Sequence, residues 1–65
     1  MSNLKRIREE RNLTQAQLSE KSGVNLRMVQ YYENGFKDIN KAQAITLYHV
    51  ANALDCKIED LLETN

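Results

Sequence analysis

Apolar positions recur at helical spacing along the whole chain, and no stretch alternates with period two for long enough to make a strand. Leu4 and Ile7 share one side of a first segment that reads as a helix over about residues 2–11. Thr14 then stands as an N-cap, and Gln17, at the third helical position, completes a Thr-x-x-Gln capping box. QAQLSEK is therefore expected as helix two, over about 15–21, with Leu18 turned inward. Gly23 ends it in a turn. Asn25 caps helix three, which stops at Asn34-Gly35. Asn40, with Gln43 three positions on, is expected to cap helix four, whose Leu47, Val50, Ala51 and Leu54 fall at i, i+3, i+4 and i+7. A fifth short helix is expected over about 58–63, burying Ile58, Leu61 and Leu62. The expected fold class is all-α, with five helices.

Helices two and three are joined by only three or four residues, with Gly23 among them. Such a joint is the helix-turn-helix arrangement, whose second helix enters the DNA major groove. Core positions should be Leu18, Val24, Val29 and Tyr32, with Met28 half-buried. Helix three is then left with Leu26, Arg27, Gln30 and Tyr31 at i, i+1, i+4 and i+5, a single exposed stripe. A surface helix ordinarily fills that face with Lys, Glu and Ala. This set suits a partner better than water. Arg27 is the first candidate for reading sequence, because a guanidinium grips guanine O6 and N7 bidentately; the alternative is an arginine that is merely solvated. Gln30 suits adenine or the bracing of another side chain. Tyr31 suits phosphate or a thymine methyl, and Leu26 only the methyl, although exposed aromatics also serve protein interfaces.

Sixty-five residues make one small domain, 1–65, which buries only about 60% of its unfolded surface. Chains this short need disulfides, a metal, dimerisation or regular helix packing. Cys56 is the only cysteine, so no disulfide forms within the chain, and it is expected as a small buried hydrophobe. A bridge between two copies would need an oxidising compartment. His49 and Cys56 have no ligand cluster around them, so neither metal nor cofactor is expected, and His49 reads as a surface residue. That leaves helix packing and a homodimer. MSNLKRIREERN is charged throughout and reads as neither signal peptide nor membrane span, which suggests a reduced, cytoplasmic protein. No nucleophile, base and orienting group converge and no phosphate loop occurs, so no enzyme is expected; Glu33 lacks the partner carboxylate of a catalytic acid.

The net charge is zero. Residues 1–41 nevertheless carry eight bases against five acids, a balance of +3, and residues 42–65 carry −3. Such an asymmetry hints at an anionic partner on one side, though a difference of this size also arises by chance.

LTQAQLSEKSGVNLRMVQYYENG resembles the helix-turn-helix of phage repressors and Cro proteins, the Xre group of bacterial regulators. The match runs through Thr14-Gln15, Leu18, Gly23-Val24, Val29 and Glu33-x-Gly35, and continues into TLYHVANALDCKIEDLL, so that it covers about residues 3–63. The resemblance implies a compact five-helix lambda-repressor-like domain that binds double-stranded DNA sequence-specifically and regulates transcription as a repressor. It implies that Gln15 binds phosphate and braces the recognition helix; a helix N-terminus favours phosphate in any case. It implies base contacts from the start of helix three, which adds Asn25, and phosphate contacts around Lys37, Asn40 and Lys41. It also implies a structural ion pair between Arg8 and Glu33, since charges so near the core are retained when paired. Dimeric members set two recognition helices about 34 Å apart; here Ile58, Leu61 or Leu62 and the end of helix four are expected to form the contact.

Four positions depart from the family pattern. Ser19 replaces a usual Ala, a small-for-small change, and Met28 a usual Ser or Thr. Leu26 stands where a polar base reader is common, and Lys57 where Ser or Thr would cap helix five. VQYYENGF also resembles the recognition end of mercury-resistance-type (MerR) regulators, but a full helix precedes it here and two apolar-striped helices follow in place of a wing. Two other roles stay open: the antitoxin of a toxin–antitoxin pair, partnered by its toxin, and a protein-interaction module using Leu26 and Tyr31.

Overall fold

A computed structural model describes residues 2–63, so Met1 and the last two residues of the expected 1–65 domain lie outside the described residues. Five helices are formed: α1 (Asn3–Glu10), α2 (Gln15–Ser22), α3 (Leu26–Asn34), α4 (Ala44–Leu54) and α5 (Ile58–Leu61), with a 3-10 turn, Ile39–Lys41, between α3 and α4. Among the described residues there is no strand. Side chains satisfy the free amides at most helix starts. Ser2 Oγ accepts the Lys5 N–H at 3.0 Å. Thr14 Oγ1 accepts from Gln17 at 3.0 Å while Gln17 Oε1 accepts the Thr14 N–H at 2.8 Å, completing the capping box.

Each of the four longer helices is followed by a left-handed residue: Asn12 at φ 60°, Gly23 at 75°, Gly35 at 82° and Asp55 at 54°. After α1 the Leu13 N–H reaches back to the Arg8 carbonyl and Asn12 N–H to that of Glu9; after α4, Cys56 binds Ala51 and Asp55 binds Asn52 in the same way. Both are Schellman closures, which glycine usually makes. The two glycines were legible as stops; Asn12 and Asp55 make equivalent ones, because short polar side chains visit this backbone region more readily than others. Arg11 completes the end of α4, its Nε donating to the Leu54 carbonyl at 2.8 Å. Asp55, however, sets an anion at a helix C-terminus, where the dipole opposes it. Asp55→Gly is therefore expected to stabilise the protein by about 0.5–1 kcal/mol, seen as a rise of several degrees in the thermal midpoint.

The core gathers Leu4 and Ile7 of α1, Leu18 of α2, Val29 of α3, Ile39, five residues of α4 and Leu61 of α5. The Leu47, Val50, Ala51 and Leu54 stripe is buried as its spacing requires, with Ala53 beside it. Val24 and Tyr32 pack against this core while half-buried. α2 lies against α3 and α4, α1 touches α3 and α5, and α4 touches α5. Among the described residues no helix is long and apolar enough to cross a membrane.

Two expectations are corrected. Asn40 does not cap α4: it lies inside the 3-10 turn, which Asp38 caps by accepting the Asn40 N–H at 2.9 Å. α4 begins at Ala44, with Gln43 at its N-cap position making no side-chain bond. The Asn40 side chain is instead taken by a distant partner, donating to the Glu63 carbonyl at 2.6 Å and accepting its N–H at 2.7 Å. Second, α5 stops at Leu61, and only Leu61 is fully buried; Ile58 and Leu62 are half-buried. Leu61 has 0% of its surface exposed and belongs to the core cluster. Lys57 stands at the N-cap position of α5, and the Asp60 carboxylate accepts its N–H at 3.0 Å.

Candidate nucleic-acid interface

The link between α2 and α3 is three residues, Gly23-Val24-Asn25, and two serines build it. Ser19 Oγ donates to the Val24 carbonyl at 2.6 Å, and Ser22 Oγ accepts the Val24 N–H at 3.1 Å. Ser19 is thus more than a small residue at a tight contact; its hydroxyl pins the turn. Asn25 Oδ1 accepts the Arg27 N–H at 2.7 Å and so starts α3.

α3 is held from behind. Arg8 Nε and Nη2 donate to the two oxygens of Glu33 at 2.6 and 3.0 Å, a bidentate pair whose side chains are only 9% and 3% exposed. Arg8 Nη1 binds the Leu13 carbonyl at 2.7 Å, and Gln15 Nε2 donates to Glu33 Oε1 at 3.0 Å. One carboxylate therefore ties the end of α3 to α1 and to the first turn of α2. The hydrogen bond to Glu33 holds the Arg8 guanidinium still more firmly protonated, against the cost of its burial.

The front of α3 is a different surface. Glu33 is the only acid in the helix, and with it turned inward the outward face carries no anion of its own helix. Leu26, Arg27 and Gln30 are exposed there, and Tyr31 is half-buried. The Tyr31 ring lies against Phe36, with centroids 4.6 Å apart and planes tilted by 42°. Phe36 is 72% exposed, its N–H held by Asn34 Oδ1 at 2.8 Å. The Lys37 N–H binds the Tyr31 carbonyl at 3.1 Å. Lys37 and Lys41 line a shallow groove with Met28, Tyr32, Asp38 and Ala42, so two cations and one carboxylate lie along that side of the helix.

The expected residues do not all come together. Arg27, Gln30, Leu26, Tyr31 and Lys37 lie on α3 or directly after it, and Lys41 shares a groove with Lys37. Gln15 reaches the group through Glu33, whereas the side chain of Asn40 faces Glu63. Phe36 went unnoticed in the sequence, although an aromatic directly after the helix-closing glycine, beside a lysine, is the signal that marks it. Cys56 is half-buried. Burial, and next the nearby Asp60, push its thiol above the ordinary range, so it is a weak nucleophile. No group of His, Cys, Asp and Glu among the described residues could hold a metal ion.

A helix face bearing a guanidinium, an amide and a phenol, and free of an anion from its own helix, is suited to a polyanion that presents hydrogen-bonding edges. A family model described as a helix-turn-helix matches residues 4–61. No curated protein and no solved structure matches the chain.

Proposed function

The chain belongs to the Xre and lambda repressor-like helix-turn-helix family of DNA-binding regulators, and from that membership we propose that α3 reads a specific duplex sequence and that the protein represses transcription by occupying promoter DNA. The observation that carries this reading is the outward face of α3, which shows Arg27 and Gln30 while its one acid is locked inside. Arg27 is assigned to a base, Gln30 to a base or a neighbouring side chain, and Lys37 and Lys41 to phosphates. Gln15 keeps one amide hydrogen free beyond its bond to Glu33 and adds a phosphate contact at the start of α2. Asn25 serves mainly by fixing the first turn.

The regulator acts in the cytoplasm and binds as a homodimer, because one module of this size contacts too few base pairs for tight specific binding. Ile58 of α5 and Leu62 directly after it are half-buried apolar residues that keep some surface for a partner. Titration of duplex DNA at increasing salt is expected to show affinity falling steeply and linearly in log–log form, from counterion release. Footprinting should protect two half-sites about one helical turn apart. Salt-insensitive association would instead favour a protein-docking role for Leu26, Tyr31 and Phe36, and one unpaired half-site would rule out the dimer.

A further inference from the structure

The 3-10 turn Ile39–Lys41 links α3 to α4, and its side chains leave it toward different parts of the molecule. A 3-10 helix has three residues per turn, so consecutive side chains point about 120° apart. Ile39 goes into the core, where it is 5% exposed. Lys41 lines the groove beside Met28 and Tyr32 of α3. Asn40 goes to the segment after α5, where its amide donates to the Glu63 carbonyl at 2.6 Å and accepts the Glu63 N–H at 2.7 Å. That segment is in turn tied to α1. The Glu63 carboxylate accepts the Asn3 N–H at 3.1 Å, and the Asn3 amide donates to the Leu62 carbonyl at 2.8 Å. A buried isoleucine alone would leave a one-turn helix free to swivel about it. The directional bonds of Asn40 remove that freedom.

Resting on the DNA-reading assignment above, we propose that Asn40 is a positioning residue, which fixes the rotation of the turn through Leu62 and Glu63 and so aims Lys41 at a phosphate. Asn40 itself touches no DNA in this role. Holding the N–H and the carbonyl of one residue together takes a side chain with both an acceptor and a donor, which asparagine has and aspartate lacks. α3 is held separately, by Arg8 and Gln15 through Glu33. The Asn40 clasp therefore governs the phosphate grip and leaves base reading untouched.

The test uses the full chain, a duplex enriched from a random pool and a scrambled one. Asn40→Ala and Asn3→Ala are each made alone and together with Lys41→Ala, and circular dichroism establishes that each is folded at the binding temperature. Asn40→Ala is expected to weaken both duplexes by the same factor and to lower the salt slope by about one, as loss of a single phosphate contact does. Asn3→Ala, which frees the Leu62 carbonyl without touching the turn, should shift both readouts the same way and by less. In the Lys41→Ala background neither substitution should weaken binding further, because the cation they aim is gone. Wild-type affinity and slope in Asn40→Ala overturn the proposal while leaving DNA reading intact. A full additional loss in the Lys41→Ala background also overturns it, and puts the Asn40 amide itself on the DNA. Should Asn40→Ala not fold, Asn3→Ala decides, and a wild-type salt slope there overturns the proposal. Failure of the wild type to bind any duplex overturns DNA reading itself, and this proposal with it.

Discussion

Replacing Glu33 by alanine is expected to lower stability by about 3–5 kcal/mol, the range for a buried charge stripped of its partner. A chain of this length is stabilised by only roughly 3–10 kcal/mol, so the variant should sit close to unfolding. The reason is geometric. Removing the carboxylate leaves the Arg8 guanidinium almost wholly buried with a single carbonyl partner, Leu13, and leaves the Gln15 amide without its acceptor. Arg8→Ala should do comparable harm, since Glu33 then keeps only the Gln15 bond inside the fold. The double variant should cost less than the two losses added together, because neither charge remains to be left alone. Urea or thermal unfolding of the four proteins measures the coupling. Strictly additive losses would mean that the pair contributes nothing as a pair. The effect should persist at high salt, because ions screen a buried pair far less than an exposed one such as Arg6 with Glu10.

Arg27→Ala should leave folding intact, as the side chain is exposed and no hydrogen bond or ion pair holds it among the described residues. On the preferred duplex it is expected to cost about 1–3 kcal/mol and to relax selectivity at one base pair. Lys41→Ala should act differently, weakening all duplexes alike and lowering the salt slope by about one. Competition binding with a cognate and a scrambled duplex separates the two cases. Equal weakening of both by Arg27→Ala would assign it to phosphate, and base reading would fall to Gln30 and Tyr31.

What the sequence reveals, and what it hides, follows from how far each interaction reaches along the chain. Leu18, Val29 and the α4 stripe are legible because burial imposes a helical period on them. Thr14 with Gln17, and Asn25 before α3, are legible because a cap and its amides lie within three residues. Asn40 was misassigned because a capping asparagine and a tertiary one look identical in sequence; its partner, Glu63, is 23 residues away. Ser19 shows the same limit over a shorter span, since its hydroxyl matters only once the turn brings the Val24 carbonyl to it. The shared burial of Leu61, Ile58 and Leu62 was overestimated because a one-turn helix turns only one of the three fully inward. The outward stripe of α3 was readable by subtraction, but Phe36 lies past the helix end and follows no helical period.

The triad of Arg8, Gln15 and Glu33 clamps α3 through a residue that never meets the outward face. Orientation and selectivity are thereby written in separate letters. Leu26, Arg27 and Gln30 can be exchanged without disturbing Val29 or Glu33, so a duplicated copy of this chain is free to acquire a new target in a few substitutions while inheriting its scaffold unchanged. Retargeting costs the lineage little stability, and the positions that record its history of targets are the ones the core does not constrain.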